Sequence, residues 1–216
     1  MTRGTRNNML ADSSNGSYPR LSFIVDGPLV ARFFLLLQQG VKIRRRIGLS
    51  VDVFLRQEIG AAPETIEKIQ SIMLDGKPVD DIGSSLLHDG STLALSAAMP
   101  GLVGATLRRG GAYSSFRSAI TYHETGTADA PREGWVNVKI FNLLMAELGS
   151  GLLRAGVLIR YSDLLSFLTE RAEEFRHGCS ATLDGKPIDI GMLMKSIELA
   201  GNDHVFLTVT TGPVNS

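Results

Sequence analysis

The heptapeptide Leu-Asp-Gly-Lys-Pro-Val-Asp at residues 74–80 recurs as Leu-Asp-Gly-Lys-Pro-Ile-Asp at residues 183–189. The two copies differ only by Val in one and Ile in the other. Self-similarity at a long interval is the sequence signature of a duplicated structural unit. A chain of 216 residues has room for two such units of about 80 residues each. The sequence therefore predicts two related halves.

The repeated heptapeptide predicts a β-hairpin in each half. An Asp-Gly pair is the strongest short hairpin signal, because both central residues of the tight turn take positive φ. A strand with alternating apolar residues follows in both halves and closes the unit. Its inward residues are predicted to be Leu93, Leu95 and Ala97 in the first half, and Val205, Leu207 and Val209 in the second.

Two strands are predicted before the hairpin in each half. Apolar residues alternate at Val136, Val138 and Ile140, which is the period of a half-buried strand. The same alternation is found at Ala31, Phe33 and Leu35. A second strand is predicted at residues 40–44 in the first half and at residues 156–160 in the second.

A helix is predicted between these strands and the hairpin. Ser50 and Ser162 are predicted N-caps, because a serine hydroxyl can accept a hydrogen bond from a free N–H of the first turn. Apolar residues at three- and four-residue steps predict the buried stripes of the two helices. They are Phe54, Leu55 and Ile59 in the first half, and Leu165, Leu168, Ala172 and Phe175 in the second.

This order of elements predicts an α+β fold of two tandem β-grasp (ubiquitin-like) domains, each with a mixed sheet around one main helix. The predicted divisions are a disordered arm at 1–20, a first domain at 21–111, a linker at 112–134 and a second domain at 135–216.

Bulk properties point to a protein of the cytoplasm. The only cysteine is Cys179, so no internal disulfide is possible, and no apolar run reaches the ~20 residues of a membrane span. The first 20 residues are polar, without the apolar core of a signal peptide. The four histidines show no metal-ligand spacing, so we expect no metal, no cofactor and no catalytic residue.

Two basic segments are the candidate binding residues. Lys42, Arg44 and Arg46 share one face of a predicted strand, which would suit an acidic protein or RNA phosphate, or would simply be a solvated face. No aromatic residue interleaves with this stripe, and the net charge of the chain is zero, so we expect no nucleic acid partner. The second segment, residues 99–117, is Gly-rich and carries Arg108, Arg109 and Arg117. A protein partner or a second protomer is the expected partner of both segments.

Residues 138–144, 31–37 and 89–95 resemble strands of the ubiquitin-like sulfur carriers, such as the small subunit of molybdopterin synthase and the thiamine-pathway carrier. That resemblance implies a C-terminal Gly-Gly whose carboxylate is adenylated and then converted to a thiocarboxylate. The chain departs from the pattern, because Gly101 follows Met-Pro and the second half ends beyond Gly212. Residues 107–111, Leu-Arg-Arg-Gly-Gly, resemble a ubiquitin-type tail but are internal.

The leading hypothesis is a non-catalytic binding or scaffold protein made of two ubiquitin-like domains. The alternative is a sulfur carrier or protein modifier, released by proteolysis after Gly111 or Gly101. In that case Gly101, Gly110 and Gly111 would form the carrier tail. An enzyme with a site between the two halves is a third class, for which the sequence contains no motif.

Overall fold

In the computed structural model, the described residues are 18–113, 117, 119–124, 130–175, 177–193 and 203–213. They form an α+β fold in which ten strands make one mixed sheet. The strands are β1 (Arg20–Val25), β2 (Val41–Ile47), β3 (Ser71–Leu74), β4 (Lys77–Pro78), β5 (Thr92–Ser96), β6 (Arg132–Phe141), β7 (Val157–Arg160), β8 (Cys179–Leu183), β9 (Lys186–Ile188) and β10 (His204–Thr211). The helices are α1 (Val30–Gln39), α2 (Val51–Val53, continued by the π-helical segment Phe54–Ile59), α3 (Pro63–Lys68), α4 (Gly101–Leu107), α5 (Leu144–Ala155) and α6 (Tyr161–Glu170).

The repeated heptapeptide forms the two predicted hairpins. Asp75 and Gly76 have φ of 50° and 79°, and Asp184 and Gly185 have φ of 48° and 79°. Each Asp side chain also holds a neighbouring strand. Asp75 Oδ1 accepts from the Thr92 N–H at 2.7 Å, and Asp184 Oδ1 accepts from the Arg20 N–H at 2.9 Å. The heptapeptide therefore forms the turn, and its Asp side chain also bonds the backbone of the neighbouring strand.

The strand order is β4-β3-β5-β6-β2-β7-β10-β1-β8-β9. The pairs β5–β6 and β10–β1 are parallel, and the other neighbours are antiparallel. Each parallel pair joins the last strand of one half to the first strand of the other. The first strand of each half therefore pairs with the last strand of the other half, an arrangement called the strand exchange below. The predicted α+β class is confirmed, whereas the division into domains at 21–111 and 135–216 stays a prediction.

The strand predicted at Ala31, Phe33 and Leu35 is wrong, because these residues lie in helix α1. Nearly every residue of this stretch is apolar, so it matches a period of two by chance. Burial follows the helical steps instead: Phe33, Leu36 and Leu37 are buried and Leu35 is half-buried. Leu, Ala and Gln favour helix, and Gly40, with φ of 111°, ends it.

Helix α5 connects the two strands that the sequence predicts before the hairpin of the second half. It lies between β6, which confirms the strand predicted at Val136, Val138 and Ile140, and β7, which confirms the strand at 156–160. Gly156 ends α5 as Gly40 ends α1, and each glycine donates its N–H to the carbonyl four residues before it. β6 begins at Arg132, so it takes the last residues of the predicted linker 112–134. β1 begins at Arg20, and residues 1–17 of the predicted arm lie outside the described residues.

The two predicted helix caps have different outcomes. Ser50 caps α2, accepting the Val53 N–H on its hydroxyl. Ser162 caps nothing, because β7 continues directly into α6 at Tyr161. The buried face of α6 is therefore shifted from the predicted one. Leu164, Phe167 and Leu168 are buried, whereas Leu165 is half-buried and Ala172 lies exposed beyond the helix.

The core lies on one face of the sheet, beneath the helices. At its centre the ring of Phe33 lies 5.2 Å from the rings of Phe23 and Phe167 and 5.0 Å from that of Phe175. Tilted ring pairs at these distances stabilise a core beyond the area they bury. The strand residues that alternate with the core residues project from the opposite face, called the open face here.

Candidate binding groove at the sheet junction

The junction of β2 and β7 divides the sheet into two parts, β4-β3-β5-β6-β2 and β7-β10-β1-β8-β9. A groove on the open face lies where these two parts meet. β2 and β7 share a single registered pair, Lys42 opposite Leu158. Because the two strands do not pair further, the surface between them forms a shallow groove of about 410 Å³ that continues into one of about 300 Å³. Lys42 and Leu158 line both. We call this continuous depression the junction groove.

Lysine side chains give the junction groove its charge. Lys42 is exposed on β2, and Lys139 on β6 borders the same groove. Among the described residues, no carboxylate pairs with either ammonium group. Arg160 also borders the groove, but its Nε is 2.9 Å from Asp163 Oδ2. Two ammonium groups that form no ion pair among the described residues therefore line the groove, together with the carboxylates of Asp89 and Asp163.

Aromatic side chains stand beside these lysines. Trp135, the only tryptophan of the chain, lies on β6, with the half-buried Asn137 between it and Lys139 on the same face. The Tyr18 ring is edge-on to Trp135 at 6.4 Å and to His204 at 6.3 Å. These contacts fix Tyr18 across β2 and β7, so the groove offers aromatic surface close to its charges.

A third Asp-Gly pair, Asp89-Gly90, sets the position of the Trp135 backbone. Asp89 Oδ1 accepts from the Trp135 N–H at 2.7 Å, and the Gly90 N–H donates to the Trp135 carbonyl at 2.7 Å. β6 is thus held by the loop that leads into β5, where a parallel ladder continues with Thr92 opposite Asn137. Paired strands therefore form much of the groove, and Tyr18, Asp89 and Gly90 line it from outside the strands.

His204 stands at the far side of the groove, with Nε2 3.4 Å from Lys42 Nζ. Burial, and then the charge of Lys42, lowers the pKa of His204. The lowered pKa favours the neutral ring, whose Nε2 can accept a hydrogen bond from the Lys42 ammonium without adding to the charge of the groove.

The basic stripe predicted from the sequence is present on β2. Lys42, Arg44 and Arg46 are exposed and alternate with the buried Val41, Ile43 and Ile47 and the half-buried Arg45. Their surroundings differ, because Arg46 Nε bonds Glu58 Oε1 at 2.7 Å and Arg44 Nε is 3.8 Å from Glu133 Oε2. Only Lys42 of the three lines the junction groove.

The second predicted segment lies elsewhere and does not join the stripe. The Arg109 N–H bonds the Gln70 carbonyl next to β3, which is three places from β2 in the sheet. Arg108 is exposed there. Arg117 is 5% exposed, and its guanidinium bonds Asp80 at 2.7 Å and the Thr106 carbonyl at 2.6 Å. Arg117 therefore ties the segment to the fold and is not accessible to a partner.

The glycines of the predicted carrier tail are built into the same segment. Gly101 is the first residue of α4, and Gly110 and Gly111 follow that helix in a turn where the Gly111 N–H bonds the Arg108 carbonyl. Next to α4 is an apolar concavity of about 270 Å³, bordered by Met99 and Phe141. Exposed Leu102 and Val103 extend this apolar surface on α4.

Sequence reasoning missed Trp135, Lys139, Tyr18 and His204 as groove residues. Trp135 and Lys139 lie on a strand that was recognised, at the positions that alternate with the buried Val136 and Val138. That alternation predicts that Trp135 and Lys139 lie on the face of the sheet opposite the core. Their proximity to Lys42 could not be found, because it depends on β6 pairing with β2 of the other half, with Asn137 opposite Lys42.

No family model, curated protein or solved structure matches this chain. Within the described ranges, no helix combines the length and the apolar character required to cross a bilayer. Across the same residues, no group of three or more His, Cys, Asp or Glu side chains is placed to hold a metal ion.

Proposed function

We propose that this protein is a non-catalytic binding protein whose junction groove takes an anionic partner. The observation that carries the proposal is the pair of ammonium groups, on Lys42 and Lys139, that line one groove and form no ion pair among the described residues. The two carboxylates that also line the groove have other partners: Asp163 pairs with Arg160, and Asp89 accepts the Trp135 N–H. Uncompensated charges of one sign in a groove attract a ligand of the other sign. The proposal places the protein in the cytoplasm, in keeping with its single cysteine.

The proposal includes a finer description of the fold, as two ubiquitin-like β-grasp units interlocked by exchange of their first strands. The parallel pairs β5–β6 and β10–β1 support it, because each completes one half with a strand of the other. One difference remains between the halves. The hairpin strand β3 lies beside β5, whereas its counterpart β8 lies beside β1.

The strand exchange disfavours the sulfur-carrier alternative. A cut after Gly101 or Gly111 would leave a fragment without β6, the strand that lies between β5 and β2. Such a fragment would lose paired backbone on both of those strands. Intact mass of the protein from cells tests this point, since a released carrier would give a species that ends at Gly101 or Gly111.

Binding of long-chain inorganic polyphosphate tests the proposed function. We expect the fluorescence of Trp135 to change on titration at low salt, and the double variant Lys42→Glu/Lys139→Glu to abolish the response. The matched control is Lys77→Glu/Lys186→Glu, which reverses two exposed lysines on the hairpins at the sheet edges. Equal binding by both double variants, or no binding by the wild type, would remove the basis of the proposal.

A further inference from the structure

We propose that the anionic partner of the junction groove is single-stranded nucleic acid, with bases on Trp135 and phosphates on Lys42 and Lys139. This inference rests on the proposed function and names its ligand. It differs from what the sequence leads us to expect, since the basic stripe has no aromatic residue along its own strand. In the folded protein β6 supplies that residue from beside the stripe: Trp135 is the cross-strand partner of Arg44.

The order of side chains on β6 is the first argument. Trp135, Asn137 and Lys139 project from the same face, at intervals of about 6.7 Å along the strand. An indole offers a stacking surface, a carboxamide can pair with a base edge, and an ammonium binds phosphate. Lys42 lies directly across from Asn137 and adds a second phosphate contact from the next strand. The carboxylates of an acidic peptide would bind the two lysines, but they offer no flat surface to stack on the indole.

The shape of the groove is the second argument. Ligands of the size of a mononucleotide are held in sites that enclose most of their surface. The junction groove is a shallow depression on a sheet, and its floor runs from Trp135 on β6 to His204 on β10. An open sheet with aromatic side chains is a common way to bind unpaired nucleotides, which can lie flat along it. An extended single strand fits such a surface better than a single nucleotide does.

The charges set where the phosphates lie. Arg160 and Arg44 are near the groove but face Asp163 and Glu133. Neither lysine forms an ion pair among the described residues, so the two ammonium groups are the expected phosphate contacts. The zero net charge of the whole chain does not oppose this, because phosphate contacts act over a Debye length of about 10 Å.

The test is fluorescence anisotropy with a labelled oligouridylate decamer and an oligothymidylate decamer. Unlabelled polyphosphate and poly-glutamate of matched charge serve as competitors. We expect both oligonucleotides to bind more tightly than either competitor. Trp135→Leu should weaken oligonucleotide binding by about fivefold or more, because stacking on an aromatic contributes about 1–3 kcal/mol per base, while Trp135→Phe should retain most of it. Trp135→Leu should leave polyphosphate binding unchanged.

The salt dependence reports the phosphate contacts. Each contact to a single strand contributes about 0.7 to the slope of log K against log salt. Lys42→Ala/Lys139→Ala should therefore reduce the slope by roughly 1.4, and the control Lys77→Ala/Lys186→Ala should not change it. Circular dichroism and melting temperature of each variant establish that it is folded.

The outcomes separate this inference from the proposed function. If polyphosphate and oligonucleotides bind equally and Trp135→Leu changes neither, the groove binds anions without recognising bases, so the inference fails and the proposed function stands. Tighter binding of poly-glutamate would identify an acidic protein as the partner and would also overturn the inference. If no polyanion binds in a manner that depends on Lys42 and Lys139, both proposals fail.

Discussion

Replacing Leu36 and Leu35 separately by Ala discriminates the helix α1 from the strand that the sequence pattern predicts there. In the helix Leu36 is 2% exposed and belongs to the core, while Leu35 is half-buried. In a strand with Phe33 and Leu35 inward, Leu36 would face outward. The two substitutions remove the same atoms from adjacent positions. Ala and Leu are both good helix formers, so a difference between the variants reflects packing rather than helix propensity.

Leu36→Ala should destabilise the protein by about 3 kcal/mol, within the usual range of 2–5 kcal/mol for a buried leucine. Leu35→Ala should cost roughly 1 kcal/mol, because much of its surface is already in water. For a protein of this size, 3 kcal/mol lowers the melting temperature by about 6–12 °C. The assay is urea and thermal unfolding followed by circular dichroism. Leu143→Ala, at a site 73% exposed, is the surface control. A larger loss for Leu35→Ala than for Leu36→Ala would refute the helical assignment.

Gly156→Ala should destabilise by roughly 1–3 kcal/mol or more, since its φ of 95° strains any Cβ and that atom would lie 2.3 Å from the Phe206 ring. The control is Gly151→Ala in α5, where a Cβ meets nothing within 4 Å; it should be neutral or stabilising in the same unfolding assay. Equal losses of stability in the two variants would contradict the account of Gly156. Burial raises the pKa of Cys179 to about 11. Iodoacetamide at pH 8 should therefore modify Cys179 about a hundredfold more slowly than a free thiol. A rate near that of glutathione would show that the thiol is not shielded.

Local signals predicted the turns, the closing strands and one of the two caps, because each depends on a few adjacent residues. The Asp-Gly hairpins, the cap at Ser50 and the buried Leu93 and Leu95 follow from backbone sterics and from period-two burial. The stretch at 31–37 could not be assigned from pattern, because a run of apolar residues satisfies both periods. Tertiary contacts determine that the stretch is helical. Phe33 packs against aromatic residues on three other segments, namely Phe23, Phe167 and Phe175.

The candidate site was predicted only in part, and the reason is topological. Lys42, Arg44 and Arg46 were found because alternation along one strand is a local property. The junction groove combines that strand with β6, β7 and β10, and no local rule specifies which strands become neighbours. The separation of Arg108 and Arg109 from the stripe has the same origin. They follow β5 closely in the chain, yet they lie near β3, on the side of β5 away from β6 and β2.

The strand exchange also explains why the groove lies where it does. Within each part of the sheet the strands pair over several residues, but β2 and β7 meet through one pair, Lys42 and Leu158. The sheet is therefore least continuous at the joint between its two parts, and that is where space for a ligand remains. A partner bound there would contact β2 from the first half together with β6 and β10 from the second. Its binding energy would act across the joint that the backbone pairing leaves weakest, so binding and the cohesion of the two parts of the sheet should strengthen each other.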